Sequence, residues 1–248
     1  MRVDLSGRTA LVTGASSGFG RRFAKVLAAS GAHVVASARR TDRLAELVAE
    51  IAAEGGSAEA LTLDVTDAAA VEAAIAAIPK LDVVVNNAGV PSGTPAIEMP
   101  LDEWRQTFLT NTEGAFVVAQ AAAQKMAKAG GGSIINVASI TGLRPGGAAS
   151  AYGASKAAII RLTEQLAMEW ARFRIRVNAL APGYFETDLT HEFLQSDFAD
   201  KMLKRIPQRR YGELSELDGP LLLLASDSSS YMTGATIAVD GGHLVSVL

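Results

Sequence analysis

Short apolar runs alternate with helical segments along most of this chain, and no other feature of the sequence restricts the fold as strongly. The apolar runs lie at residues 9–13, 33–37, 60–63, 81–85, 132–139, 175–180 and 235–242. Segments with helical periodicity lie between them, at about 19–29, 41–53, 68–77, 101–128, 151–173 and 214–225. Strand–helix alternation predicts parallel strands with right-handed crossovers, and uniformly apolar strands predict burial on both faces. We therefore expect an α/β fold with a seven-stranded parallel sheet and helices on both faces.

Residues 1–248 are expected to form one domain. Hydrophobic residues make up 49% of the chain, which is enough for one large core, and no linker or repeat interrupts the alternation. The formal net charge of −3 argues against a nucleic-acid partner. Without cysteine there can be no disulfide, and the three histidines lack the spacing of metal ligands, so no metal site is expected.

The membrane is not expected to be a partner either. No apolar run reaches the ~18 residues that a membrane-spanning helix needs. The sequence at residues 1–14 also lacks the basic and then apolar pattern of a signal peptide. We therefore expect a cytoplasmic protein.

A glycine-rich turn follows the first apolar run. The sequence TGASSGFG at 13–20 places Gly14, Gly18 and Gly20 between a predicted strand and a predicted helix. Glycines let the backbone turn tightly and approach a phosphate, and the start of a helix offers free N–H groups. This context predicts a dinucleotide-binding turn, although a purely structural glycine turn would have the same sequence.

A serine, a tyrosine and a lysine follow the fifth apolar run. Ser139 ends that run, and Tyr152 and Lys156 stand four positions apart on a predicted helix, so both project from one face. A nearby cation lowers the pKa of a phenol from its ordinary value of about 10, which makes it a better acid–base group at neutral pH. The three side chains predict proton transfer at a C–OH/C=O centre. The structural alternative is a surface tyrosine beside a solvated lysine.

The order and spacing of several motifs resemble the short-chain dehydrogenase/reductase family over essentially the whole chain. These motifs are TGASSGFG at 13–20, NNAG at 86–89, Asn111, Ser139, YGASK at 152–156 and PGYFET at 182–187. The resemblance implies a single-domain Rossmann-like fold and nicotinamide-dependent hydride transfer to or from a carbonyl carbon.

The resemblance also implies a role for each matching residue. Tyr152 is similar to the family's catalytic acid/base, and Lys156 to the group that lowers its pKa and holds the nicotinamide ribose. Ser139 is similar to the residue that positions the substrate oxygen, and Asn111 to the one that holds a water for a proton relay. The implied cofactor-binding residues are Gly14, Ser16, Ser17, Gly18, Phe19, Gly20, Arg39, Arg40, Asp64, Val65, Asn86, Ala88, Gly89, Tyr152, Lys156, Pro182, Gly183, Phe185 and Thr187.

Some of these positions have a structural alternative. Asp64 resembles the residue that accepts a hydrogen bond from the adenine amino group, but it could instead cap the next helix. Asn111 could mark an irregularity in its helix, since asparagine has poor helix propensity. Asn87 could serve the sheet rather than the cofactor. Thr187 resembles the residue that fixes the carboxamide.

The end of the second apolar run predicts a preference for NADP(H). NAD-binding relatives place an acidic residue there, whereas this chain has Ala38 followed by Arg39, whose guanidinium can hold a phosphate. Arg40 either adds positive charge or is solvated. Many NADP-preferring relatives also carry a basic residue where this chain has Ser17, so we expect some use of NAD(H) as well.

We therefore expect an NADP-dependent oxidoreductase that acts on CH–OH groups and most resembles a ketone or 3-oxoacyl thioester reductase. The alternatives are an NAD-dependent dehydrogenase of a sugar or secondary alcohol, and a cofactor-binding sensor without catalysis. The expected substrate cleft is mainly apolar with some hydroxyls, and its candidate residues include Ser92, Thr94, Thr141, Tyr184 and His191. Residues 188–212 are expected to close over the site. The resemblance also implies a homotetramer.

Overall fold

Seven parallel strands form one sheet in the computed structural model, which describes residues 3–186 and 201–246. The strands are β1 (Thr9–Thr13), β2 (His33–Ala38), β3 (Ser57–Thr62), β4 (Val83–Asn86), β5 (Gly132–Val137), β6 (Ile175–Pro182) and β7 (Thr236–Val239). Their order is β3-β2-β1-β4-β5-β6-β7, so the winding direction reverses between β1 and β4. Open α/β sheets bind ligands at the carboxyl ends of the strands beside such a reversal.

Helices cover both faces of the sheet. They are α1 (Gly18–Ala29), α2 (Thr41–Ala53), α3 (Ala68–Ala77), α4 (Leu101–Phe108), α5 (Gly114–Ala129), α6 (Ser150–Trp170) and α7 (Asp218–Ala225). Successive residues of β1 point to opposite faces, so Val12 packs in a core with Leu27, and Leu11 packs in a second core with Val118. Burying one such leucine stabilises the fold by about 1.5–3 kcal/mol. The predicted Rossmann-like fold is confirmed.

Strand β3 begins earlier than the sequence predicted. The apolar run indicated residues 60–63, whereas β3 spans Ser57–Thr62. This strand lies at the edge of the sheet and pairs only with β2 among the described residues, so Ser57 and Glu59 are exposed. An edge strand can therefore carry polar residues that an apolar-run criterion misses.

The long helix predicted at 101–128 is interrupted. A π-helical turn, Leu109–Glu113, separates α4 from α5. Helical periodicity on both sides of it predicted one continuous helix. Such turns are often found at functional sites, and this one contains Asn111.

Candidate active site

A cavity of about 550 Å³ lies at the carboxyl ends of β1, β2, β4, β5 and β6. It brings together residues that the sequence predicted from distant motifs. Those that line it are Gly14, Ser16, Ser17, Gly18, Phe19, Arg39, Arg40, Asp64, Val65, Ala88, Gly89, Ser139, Tyr152, Lys156, Pro182, Gly183 and Phe185. Three predicted residues, Gly20, Asn86 and Asn111, lie behind its wall. Thr187, His191 and the expected closing segment up to residue 200 lie outside the described residues.

The glycine turn is locked against the end of β4. Gly14 has a φ of +66°, and a Cβ there would lie 2.9 Å from Ala88 Cα. Asn87 Nδ2 donates hydrogen bonds to the carbonyl oxygens of Thr13, at 3.0 Å, and Gly14, at 3.3 Å. A Cβ at Gly20 would lie 2.3 Å from Gly14 O. Gly20 therefore permits close packing of α1 on the turn and does not line the cavity.

The side chain of Asn86 does not face the cofactor region, contrary to the sequence-based expectation. It is buried, and its Nδ2 donates to Ala115 O and to Asn136 Oδ1, each at 3.0 Å. Because side chains alternate along a strand, Asn86 points into the interior while Asn87 turns toward the glycine turn. The alternative for Asn87, a role in the sheet, agrees with this geometry.

Ser139 caps a short 3₁₀ turn, Ile140–Gly142, that follows β5. Its Oγ accepts hydrogen bonds from Thr141 N, at 3.2 Å, and from Thr141 Oγ1, at 2.9 Å. A hydroxyl has two acceptor positions and one proton. With Thr141 on both acceptor positions, the Ser139 proton is left to be donated.

Lys156 is buried and Tyr152 is partly buried. Lys156 Nζ lies 5.7 Å from the centroid of the Tyr152 ring and donates to Val137 O at 2.7 Å. Burial lowers the pKa of Lys156 to about 8. Burial also raises the pKa of Tyr152, and the hydrogen bond from Ser139 opposes that rise. The sequence predicted the opposite direction for Tyr152, because it considered the charge of Lys156 and not the loss of water around the phenol.

Asn111 lies directly behind this pair. Its Oδ1 accepts a hydrogen bond from Val90 N at 2.7 Å, and its Nδ2 donates to Val90 O at 3.0 Å and Ser155 Oγ at 3.1 Å. A Cβ at Gly89 would lie 3.1 Å from Asn111 Oδ1 and 3.6 Å from Lys156 Nζ, so the two groups flank this glycine. Asn111 thus marks a helix irregularity and also lies next to Lys156, which reconciles its two interpretations.

Two arginines follow β2 at the other end of the cavity. Arg39 is 70% exposed at its side chain, and its Nη1 lies 3.6 Å from Asp64 Oδ2. Arg40 reaches back over the glycine turn, where its Nη2 donates to Ser16 Oγ at 2.9 Å and Ser17 Oγ at 2.8 Å. The sequence did not predict this contact, because nothing in the pattern around Arg40 distinguishes it from a solvated residue.

Asp64 does not cap the helix that follows it. Its Oδ1 accepts hydrogen bonds from Thr66 N and Thr66 Oγ1, which, with the charge of Arg39, hold the pKa of this carboxyl below its usual range. Asp67 caps α3 instead, accepting from Ala70 N at 3.0 Å. The helix-cap alternative for Asp64 is therefore wrong.

The segment after β6 and the last turn of the described chain close one side of the cavity. Phe185 is buried and meets Phe19 edge to face at 5.5 Å between ring centroids. Tyr184 meets the ring of His243 at 5.5 Å. Arg144, in the loop after Ser139, donates through Nη1 to the carbonyl oxygens of His243, at 3.2 Å, and Ser246, at 2.6 Å. No pattern in the sequence predicts this contact.

Two features are absent from the described residues. No group of three or more histidine, cysteine or acidic side chains that could hold a metal ion occurs there. No helix within those residues is both long and apolar enough to cross a membrane.

Comparison with known proteins agrees with this geometry. A family model described as short chain dehydrogenase matches residues 8–197. The chain belongs to this family. A gluconate 5-dehydrogenase from Gluconobacter oxydans is 40% identical, and the match covers 98% of this chain and 97% of that protein. As a short-chain dehydrogenase, the protein is an oxidoreductase that acts on CH–OH groups.

Other short-chain dehydrogenases are similar over the same length. A 3-oxoacyl-[acyl-carrier-protein] reductase from Thermotoga maritima is 38% identical, with 98% of this chain and 100% of that protein covered. The solved structure of a gluconate 5-dehydrogenase from Burkholderia cenocepacia J2315, in complex with NADP and tartrate, matches with a TM-score of 0.95. It is 38% identical, and the match covers 99% of this chain and 98% of that one.

Proposed function

We propose that this short-chain dehydrogenase interconverts a secondary alcohol and a ketone on a small hydroxylated molecule, using NADP(H). The observation that carries the proposal is the cluster of Ser139, Tyr152 and Lys156 in the same cavity as the glycine turn. The relatives named for gluconate act on a hydroxylated substrate, which supports this substrate class. A non-catalytic sensor would not need the complete catalytic set.

The residues of the cavity fit a dinucleotide. The glycine turn brings the backbone close to the start of α1. Within the described residues no side chain caps that helix at Ser17, so its first N–H groups can donate hydrogen bonds to a phosphate. Arg39 and Arg40 would hold a 2′-phosphate, and Lys156 would hold the nicotinamide ribose. When bound, the nicotinamide supplies or accepts the hydride. NADP in the structure of the Burkholderia cenocepacia relative supports this choice.

The protein's own groups handle the proton and the developing charge. The Ser139 hydroxyl donates to the substrate oxygen, because its acceptor positions are taken by Thr141. Tyr152 Oη gives up its proton to that oxygen during reduction and takes it back during oxidation. Lys156, held between Val137 O and the Tyr152 ring, places a positive charge behind the phenol. Asn111 would hold the water that links Lys156 to solvent.

The Tyr152→Phe variant tests this assignment. Loss of the acid–base group should lower kcat by roughly 10²- to 10⁴-fold, while the Kd for NADPH, measured by fluorescence titration, stays near the wild-type value. The matched control is Tyr231→Phe, which removes a phenol from a fully exposed side chain. Near-normal turnover by Tyr152→Phe would show that another group transfers the proton.

Reduction of a 3-oxoacyl thioester is the second candidate. The Thermotoga maritima relative carries that activity in its name, and Lys201, Lys204, Arg205 and Arg209 form an open basic pocket that could meet an acidic carrier. A panel of 3-oxoacyl thioesters, simple ketones and sugar alcohols, each with NADP(H) and NAD(H), separates the two candidates. A thioester with the highest kcat/KM would replace the first proposal by the second.

A further inference from the structure

The segment after β4 forms the cavity wall beside the catalytic groups. Val90, Pro91 and Ser92 line the cavity together with Ser139 and Tyr152. The start of this segment is fixed by Asn111, which binds both backbone groups of Val90. Its position relative to the catalytic serine is therefore set by the fold.

A carboxylate fixes the other end of the segment. Glu103 Oε1 accepts a hydrogen bond from Ser92 Oγ at 2.8 Å, and Glu103 Oε2 accepts one from Thr94 Oγ1 at 2.7 Å. The hydrogen bonds from Thr94 and Ser92 also hold the pKa of Glu103 below its usual range, so the group is ionised at neutral pH. An ionised carboxylate can only accept hydrogen bonds. The hydroxyl protons of Ser92 and Thr94 are therefore both directed at Glu103.

This arrangement gives Ser92 a defined polarity. Its proton is committed to Glu103, and no other group in the described part of the chain donates a hydrogen bond to its Oγ. Ser92, which lines the cavity, thus has lone pairs to offer and no free proton. Ser139 has the opposite polarity, because Thr141 donates to its Oγ and leaves its proton to be donated. Ser139 can therefore donate to a substrate oxygen, and Ser92 can accept from a substrate hydroxyl.

We propose that the substrate carries a second hydroxyl group, besides the reacting C–O group, that donates a hydrogen bond to Ser92 Oγ. Glu103 is then a positioning residue that keeps Ser92 an acceptor. The inference rests on the proposed function and narrows its substrate class to a polyol, sugar or hydroxylated ketone. A 3-oxoacyl thioester chain has no second hydroxyl and cannot make this contact.

The test compares alcohols that differ by one hydroxyl. Cyclohexanol, cyclohexane-1,2-diol and cyclohexane-1,3-diol are oxidised with NADP⁺ by the wild type and by Glu103→Gln. Thr94 offers Glu103 both its hydroxyl and its backbone N–H, so the oxygen of the new carboxamide should stay with Thr94. The carboxamide NH₂ then donates a hydrogen bond to Ser92 Oγ, so the Ser92 proton is redirected into the cavity.

The expected result is a selective change in KM. One lost hydrogen bond should lower kcat/KM for the preferred diol by roughly three- to tenfold through KM, with cyclohexanol unchanged. Ser92→Ala should give the same selective loss and remains informative if Glu103→Gln folds poorly. The matched control is Asp102→Asn, the same chemical change at an adjacent side chain that is 93% exposed, and it should change neither substrate.

Two outcomes would count against these ideas in different ways. If Glu103→Gln and Ser92→Ala lowered kcat/KM equally for cyclohexanol and the diols, or did not lower it for the diols, the role of Ser92 would be overturned. The proposed function would still stand. If the wild type oxidises none of the three alcohols, the proposed function fails together with this inference.

Discussion

Gly20 packs against the backbone of the glycine turn at a distance that no side chain allows. An added Cβ would lie 2.3 Å from Gly14 O and 2.5 Å from Asn87 Nδ2, so the turn itself would have to move. We expect Gly20→Ala to lower the free energy of unfolding by about 1–3 kcal/mol and to weaken NADPH binding. Urea unfolding and fluorescence titration measure the two effects.

The control for this substitution lies on another helix. Gly219 in α7 has open space where a Cβ would stand, so Gly219→Ala should stabilise the protein by up to about 1 kcal/mol through helix propensity. If both variants were as stable as the wild type, the close packing at Gly20 would have no energetic consequence. The sequence identified Gly20 as a cofactor residue, but only the structure shows that the helix packing requires it.

At the scale of the elements, we expect the carboxyl end of β2 to determine the choice of cofactor. Arg40 binds both serines of the glycine turn and so supplies positive charge beside the neutral Ser17. We expect a wild-type preference for NADPH, and an Ala38→Asp/Arg39→Leu variant whose ratio of kcat/KM for NADPH over NADH falls roughly tenfold to a hundredfold. The reason is that a charged hydrogen bond contributes about 1.5–3 kcal/mol.

The matched control is Arg43→Leu, which removes an arginine that is 56% exposed on α2 and pairs with Glu46. Its cofactor ratio should remain that of the wild type. A wild type that prefers NADH, or a double variant with an unchanged ratio, would show that the end of β2 does not select the cofactor.

The sequence predicted the bounds of strands well where both faces are buried by helices, and less well at the edge of the sheet. The apolar runs of β1 and β2 marked strands with helices on both faces, and their starts were correct. Edge strand β3 was misplaced because one side of its ladder has no partner strand in the described chain. The poor helix propensity of asparagine indicated an irregularity at Asn111, but not that it is a π turn. The hydrogen bonds of Glu103 and Arg40 link residues 9 to 24 positions apart, and no periodicity predicts them.

The whole molecule is expected to be a homotetramer. The family resemblance places α4 and α6 at an interface, and large apolar side chains are exposed on both helices. They include Leu101 and Trp104 of α4 and Met168 of α6; Met168 is 71% exposed. Burial of such side chains between protomers would stabilise the assembly. Light scattering at micromolar concentration should give about four times the chain mass of 25.8 kDa, and Met168→Glu should reduce it to a dimer. A monomeric wild type would contradict this prediction.

The contact between Arg144 and the last turn of the described chain can form only late in synthesis. Arg144 and Ser246 are 102 residues apart, so their hydrogen bond cannot form until residue 246 has left the ribosome. The glycine turn and β4 lie only about 74 positions apart and can meet much earlier. Because chains fold from the N-terminus during translation, a nascent chain can assemble the dinucleotide end of the cavity while the loop after Ser139 is still unsecured. The loop after Ser139 is therefore secured later in synthesis than the dinucleotide end of the cavity.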